Sequence, residues 1–342
     1  MAALSPGSVV FELTMKKIFI TKISAAGTAI ALALSLTACG STDRAKQTEL
    51  KEAGITAMKA GDYAGAAASF KEALGQSKYT VGPEERDICF YLATADYLGG
   101  SQAEALTTLD SLTGLDEKDA EAWFLRGSMY LLEGEQEKAL SDYDSAIAAD
   151  PTDYDCYIAI YRNLMAQGLS DKGTEYLSKA LGAGSDSGND YFYRGKVYEL
   201  LGQTPAAESA YRNAAEKGID EAKLSLARLT AADGKTDDAV AAVESYQEEK
   251  KTLTGEECLL IARVYEAVSS YDKAKDAILA GLAIPDIASG DMRDLKRELI
   301  AVYEKLLDFD SACAAAGDYV ANFPGDAEVV RELTFLSTRK SN

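Results

Sequence analysis

The sequence has no histidine in 342 residues, and it has only one tryptophan, six prolines and five cysteines. Without histidine the chain lacks the most frequent general base, the most frequent metal ligand and the side chain that changes charge near neutral pH. Catalysis by Ser-His-Asp or Cys-His arrangements is therefore excluded.

The few cysteines exclude two further kinds of site. Cys89, Cys156, Cys258 and Cys313 are far apart and form no CxxC pair. Zinc sites need closely paired ligands, and disulfide frameworks of secreted proteins are usually denser. We interpret these four as small apolar residues of the core, and we predict neither a metal site nor a cofactor.

Basic residues are outnumbered by acidic ones, 35 to 55, so the whole chain has a net charge of −20. Residues 1–38 carry +2, which leaves −22 on residues 39–342. A surface this acidic repels nucleic acid and anionic lipid headgroups. The sequence therefore predicts no nucleic-acid partner.

The N-terminal segment has the order of a secretory signal. From Met15 the chain reads MKKIFITKISAAGTAIALALSLTAC, with three lysines, an apolar run at 23–36 and small residues before Cys39. The run is shorter than the ~20 residues of a membrane-spanning helix. Leu36-Thr37-Ala38-Cys39 resembles the lipobox of bacterial lipoproteins, which implies cleavage before Cys39 and lipid on its thiol.

That resemblance predicts an extracytoplasmic protein held by lipid in the cell membrane or the outer membrane. Gly40 follows the cysteine, and the absence of Asp there resembles an outer-membrane sorting signal. We expect a signal peptide at 1–38, of which 1–14 precede the true start, and a lipidated cysteine with a polar tether at 39–47. An ordinary signal peptide, or an anchor helix with a free cysteine, is the alternative.

The remaining chain repeats itself. Five residues of 123–151 recur 68 residues later in 191–219, and a sixth position is aromatic in both segments; the interval is two periods of 34. The matched pairs are Trp123 and Tyr191, Arg126 and Arg194, Gly127 and Gly195, Tyr130 and Tyr198, Ala139 and Ala207, and Tyr143 and Tyr211.

This pattern resembles the tetratricopeptide repeat (TPR), a helix-turn-helix unit of 34 residues. It predicts an all-α, right-handed α-solenoid of about eight units over 48–325, with a capping helix and tail at 326–342. Turn residues recur as Gly61, Gly100, Gly134, Gly168, Gly202 and Gly234, with Ser269 and Leu307 in the last two units. Small residues recur in the second helix as Ala66, Ala105, Ala139, Gly173, Ala207, Ala239, Ala274 and Ala312.

Local signals agree with this register. Gly127 and Ala139 are predicted to lie where the two helices of one unit approach closely. Ser101-Gln102-Ala103-Glu104 predicts a capping box at the start of a second helix.

The resemblance also implies where a ligand binds, because first helices of TPR units line a groove that receives peptides. One position of these helices forms an apolar row: Phe90, Phe124, Ile158, Phe192, Leu224 and Leu259. Four residues later, the last four of these helices carry a basic row: Arg162, Lys196, Arg228 and Arg263.

Two interpretations of these rows remain open. In one, the cations hold acidic side chains or a C-terminal carboxylate of a protein or peptide, and the apolar row receives apolar side chains. In the other, the apolar row packs between units and the cations pair with local acids. Glu199 and Glu266 follow Lys196 and Arg263 by three residues, which favours the second. Arg162 and Arg228 have no acid at such spacing.

The function that follows is a lipid-anchored, non-enzymatic scaffold that binds protein or peptide partners and supports assembly of envelope or secreted proteins. The alternative is a solute-binding or enzymatic cell-surface lipoprotein. A solute-binding lipoprotein needs alternating strands and helices around a cleft, which the helical period argues against. An enzyme needs a constellation of catalytic residues, and the sequence displays none.

Overall fold

The computed structural model describes residues 43–77, 81–323 and 326–339, in which every regular element is an α-helix. The first eight helices are α1 (Arg44–Lys59), α2 (Tyr63–Gly75), α3 (Pro83–Leu98), α4 (Gln102–Leu115), α5 (Ala120–Leu132), α6 (Gln136–Ala149), α7 (Tyr154–Ala166) and α8 (Ser170–Leu181). The next are α9 (Gly188–Leu200), α10 (Thr204–Glu216), α11 (Glu221–Ala232), α12 (Thr236–Glu249), α13 (Gly255–Ala267), α14 (Tyr271–Leu282), α15 (Ser289–Lys305), α16 (Phe309–Asn322) and α17 (Ala327–Ser337).

The described chain divides into two compact units, the first ending at Tyr176 and the second beginning at Leu177, within α8. In both units helices pack on their neighbours in sequence. Odd-numbered helices also pack on each other, α5 on α7 in the first unit and α13 on α15 in the second. Eight helix-turn-helix pairs followed by α17 confirm the predicted all-α, α-solenoid fold class.

The turn inside each pair requires a left-handed backbone. Six turns place glycine there, with φ between 69° and 90°. The last two use Ser269 and Leu307, both at φ 58°, the positions that the repeat pattern predicted. In the turn after α5, for example, the Glu135 amide donates to the Tyr130 carbonyl at 2.9 Å. This satisfies a carbonyl that the helix end leaves free.

Small residues allow the two helices of a pair to approach. All seven predicted alanines of the second helices are fully buried. A Cβ on Gly127 would lie 3.0 Å from the Asp142 Cβ and 3.1 Å from the Ala139 carbonyl oxygen. A Cβ on Gly195 would lie 2.5 Å from the Tyr211 ring. Side chains larger than hydrogen at these two glycines would push the paired helices apart.

Two local features differ from the sequence expectations. Helix α1 begins at Arg44, inside the predicted tether, because the Asp43 side chain caps it and Gln47 is buried. Ser101 does precede α4, but its side chain accepts no capping hydrogen bond, so the predicted capping box is wrong.

The four cysteines of the described residues form no disulfide, and their burial follows the prediction only in part. Cys258 and Cys313 are buried, whereas Cys89 and Cys156 are half-buried. Burial raises the pKa of the Cys89 thiol to about 11, so at neutral pH it is protonated and a poor nucleophile.

The predicted signal peptide and Cys39 lie outside the described residues. In the parts of the chain that are described, no helix is long and apolar enough to span a membrane.

Candidate functional site

The apolar row lies inside the protein. Its six residues, named above, are between 1% and 7% exposed. The Phe124 ring packs on the Tyr143 ring of α6 with centroids 5.7 Å apart, and Phe192 packs on Tyr211 of α10 at the same distance. These side chains hold the two helices of a pair together. Their burial favours the packing interpretation of the apolar row over direct contact with a peptide.

Arg162 is the member of the basic row that the first unit contributes. Its side chain is exposed on α7, and among the described residues it has neither an ion pair nor a side-chain hydrogen bond. Met165, three residues later on the same helix, is 43% exposed. Residues three apart share a helix face, so a guanidinium and an apolar side chain are displayed side by side.

Lys196 lies between aromatic rings and a carboxylate. Its Nζ is 4.5 Å from the Phe192 ring centroid and 5.0 Å from that of Tyr193, a geometry in which the ring faces attract the cation. The same Nζ lies 3.7 Å from Oε1 of Glu256 in α13. The acid that neutralises Lys196 therefore belongs to another helix and is not the predicted Glu199.

Arg228 and Arg263 are also paired within the second unit. Arg228 of α11 donates to Glu199 of α9, and Arg263 of α13 donates to Glu298 of α15 at 3.0 Å. The pairing interpretation therefore describes three of the four cations, but the acids come from other helices instead of the same one.

The Arg263 pair stands beside a second acid, Glu266. Burial, together with the nearby charge of Glu298, raises the pKa of Glu266 to about 7. Arg263 and Lys305 act in the opposite direction and limit the shift. At neutral pH this carboxyl is therefore divided between its neutral and its charged form.

In earlier pairs the equivalent of the basic row is uncharged and buried. Ser128 on α5 donates to the Phe124 carbonyl at 2.8 Å, and Asn163 on α7 donates to the Ser128 hydroxyl at 3.0 Å and the Tyr143 hydroxyl at 3.1 Å. This network fastens α5, α6 and α7 to one another. Ser128, Tyr143 and Asn163 are all buried, so the network is not part of the exposed surface.

Within the described residues, no three cysteine or acidic side chains come together in a way suited to a metal ion. Of the four cations in the basic row, the described structure shows Arg162 without an acidic partner, and it pairs the three of the second unit with acids. Chemically, cations of this kind bind carboxylates, and in the described structure Arg162 has no acid that competes for it.

Comparisons with known proteins bear on the repeat. Residues 57–128 and 103–154 each match a sequence model described as a tetratricopeptide repeat. No curated protein sequence matches the chain.

Solved structures with some similarity include a tetratricopeptide repeat protein from Parabacteroides merdae, 18% identical, covering 73% of this chain and 99% of that one, with a TM-score of 0.40. A thermophilic TPR protein of Thermus thermophilus is 18% identical over 54% of this chain and 98% of its own, with a TM-score of 0.33. MamA is 25% identical over 50% of this chain and 96% of its own, with a TM-score of 0.31.

Within residues 57–154 the matches to the repeat models coincide with helix pairs, turn glycines and buried alanines described above. The chain therefore contains tetratricopeptide repeats, which the two models place between residues 57 and 154.

Proposed function

We propose that this protein is a lipid-anchored scaffold outside the cytoplasmic membrane that binds acidic segments of envelope or secreted proteins through its basic row. The repeat fold supports a protein-binding role in general. The more specific proposal rests on one observation: Arg162 is exposed and unpaired in the described structure, in a chain whose net charge is −20.

An unpaired guanidinium in an acidic protein has a physical consequence. The surrounding field opposes acidic ligands at long range, so recognition depends on close, bidentate contact. An arginine supplies this contact to a carboxylate through two parallel hydrogen bonds. Met165 provides an adjacent apolar surface. The partner segment would therefore combine an Asp, a Glu or a C-terminal carboxylate with an apolar side chain.

The three cations of the second unit would bind a ligand carboxylate only by giving up the acids with which they now pair. Glu256, Glu199 and Glu298 already occupy Lys196, Arg228 and Arg263. A ligand carboxylate must displace these acids, so we expect weaker carboxylate binding in the second unit than at Arg162 in the first.

The test is photo-crosslinking in living cells. In one variant a crosslinking residue replaces Met165. In a second variant, the matched control, it replaces Leu279, which is 43% exposed on α14 in the other unit. We expect one dominant adduct at position 165, formed with a protein that has an acidic segment. Arg162→Glu should abolish this adduct, and Arg162→Lys should weaken it. The same adducts at both positions, or adducts indifferent to Arg162→Glu, would place the binding surface elsewhere.

Lipid attachment has a separate test, independent of the partner. Cys39→Ser removes the thiol that the lipobox would modify, so we expect an uncleaved precursor that takes up no labelled fatty acid. Cleavage to the usual size in this variant would show that the segment is an ordinary signal peptide.

The alternative of a solute-binding lipoprotein loses its basis in the described residues, because they contain no strand to build the required cleft. We propose no catalytic role, since no described cluster of side chains suggests one.

A further inference from the structure

An open cavity of about 540 Å³ lies beside Trp123, the first aromatic residue of α5. One wall is the indole ring, and the rim includes Glu117 and Lys118 from the loop before α5. The indole N–H donates to the Glu117 carbonyl at 3.0 Å, which fixes the ring orientation. At Ala149 the end of α6 contributes only a methyl group to the lining. We call this space the Trp123 cavity.

The indole already has one cationic neighbour. The guanidinium carbon of Arg126 lies 4.6 Å from the ring centroid. Two hydrogen bonds to Asp142, of 2.7 and 2.8 Å, and one of 2.6 Å to Asp110 hold Arg126 in place. Because these contacts hold it, Arg126 is not available to fill the cavity.

The chain contains a second copy of this arrangement, 68 residues later. Tyr191 corresponds to Trp123, and the guanidinium carbon of Arg194 lies 5.6 Å from its ring centroid. The residue that corresponds to Ala149 is Lys217, and its Nζ also lies 5.6 Å from the Tyr191 ring centroid. The later ring thus has two cationic neighbours, one from its own helix and one from the end of the second helix.

The other two residues of α6 that line the cavity are also smaller than their counterparts in the later repeat. Ser145 and Ala148 border the Trp123 cavity, and the corresponding residues of α10 are the larger Asn213 and Glu216. At these three positions the earlier repeat has small side chains around an open space, and the later repeat has larger ones, of which the Lys217 ammonium lies beside the aromatic ring.

We propose that the Trp123 cavity binds an alkylammonium group, supplied by a lysine side chain of a partner protein, in the place that Lys217 occupies in the later repeat. Local charge fits this ligand: the Glu117 side chain makes no ion pair among the described residues, and Asp110 remains 56% exposed although it contacts Arg126. The Lys118 side chain is exposed and free to turn toward solvent. The net charge of −20 also attracts cationic partners.

This site goes beyond the function proposed above. It takes a ligand group of opposite charge, and it uses none of the basic row. Failure of either proposal leaves the other intact, because Arg162 and the Trp123 cavity are tested with different probes.

The chain's single tryptophan makes the test direct, since the indole emission of the protein comes from Trp123 alone. The probe is Nα-acetyl-lysine methylamide, whose side-chain ammonium is free, titrated into the purified full-length protein at constant ionic strength. N-acetyl-norleucine methylamide is the control, because it has a similar stem without the charge. We expect a saturable change in emission, with the lysine probe binding about fivefold tighter or more, the gain from placing a cation on an indole face.

Three variants connect the signal to the cavity. Ala149→Lys copies the later repeat and should fill the cavity from within, so the response to the probe is lost while the helical circular dichroism is kept. Glu117→Gln should weaken binding several-fold. Lys217→Ala, the matched change at the later repeat, should leave the response of Trp123 unchanged.

Four results would overturn the proposal. The first three are the absence of a saturable response, equal affinity for the norleucine probe, and unaltered binding in a folded Ala149→Lys variant. The fourth comes from one more variant, Lys118→Ala: if binding arises only in that variant, the protein's own Lys118 is the occupant of the cavity.

Discussion

The left-handed turn at Leu307 predicts that a substitution on the protein surface will stabilise the fold. The left-handed region costs a residue with a Cβ about 1–2 kcal/mol, a strain that glycine avoids. Replacing a residue by glycine costs about 0.4–1 kcal/mol, because the unfolded chain gains freedom. Leu307 is 73% exposed, so its removal loses little apolar burial. We expect Leu307→Gly to raise the free energy of unfolding by about 0.5–1 kcal/mol.

The matched reverse change is Gly134→Ala. A Cβ there would meet no atom within 4 Å, so the substitution introduces conformational strain without a clash. We expect it to lower stability by about 0.5–1 kcal/mol. Repeat arrays unfold in parts, so the assay is amide hydrogen exchange of the two helices that flank each turn, supported by urea titration. Destabilisation by Leu307→Gly, or no loss in Gly134→Ala, would refute the argument from backbone strain.

Two further predictions concern packing and pH. Gly127→Leu should destabilise the protein by about 2–3 kcal/mol, because the new side chain begins 3.1 Å from a backbone oxygen that cannot yield. Gly75→Leu should change stability by less than about 1 kcal/mol, since a Cβ there meets nothing within 4 Å. Equal urea midpoints for the two variants would contradict this. The raised pKa of Glu266, about 7 against 4.5, means that the fold favours its protonated form. Its contribution to stability is therefore complete below pH 4.5 and is lost as the pH rises through 7. Relative to Glu266→Gln, the unaltered protein should lose stability between about pH 5 and about pH 8, and parallel profiles of melting temperature against pH would disprove it.

The parts of the fold that the sequence predicted are those that local chemistry enforces. A left-handed turn requires glycine or tolerates few substitutes, so glycine recurs in six turns and shows the repeat period. That period then located the last two turns, where Ser269 and Leu307 replace glycine. The close helix contact at Ala139 admits only small residues, which left a second visible period. Both requirements act within one pair of helices, and neither depends on the rest of the chain.

The candidate site was harder to predict, because it depends on contacts between residues that lie on different helices and are far apart in the sequence. Residues of the apolar row, such as Phe124, occupy a helix position that was predicted to face the groove. How deeply such a residue is buried is set by the neighbouring helices and not by its position in the repeat. The cation partners are equally non-local: Arg228 and Glu199 are 29 residues apart, and Arg263 and Glu298 are 35 apart. Spacing rules for a single helix cover three or four residues, so they assigned Glu199 to the wrong cation.

The Trp123 cavity shows a different limit of sequence reasoning. The comparison that revealed the repeat counted positions where two copies agree, such as Gly127 and Gly195, and agreement identifies what every helix pair needs in order to pack. A binding site that belongs to one repeat must instead appear where the copies differ. Ala149 aligned with Lys217 is such a difference, present in the sequence but uninformative until the structure placed the lysine against Tyr191 and left the space beside Trp123 open. In a repeat protein the matched positions determine the fold, and the mismatched positions distinguish one repeat's surface from the next.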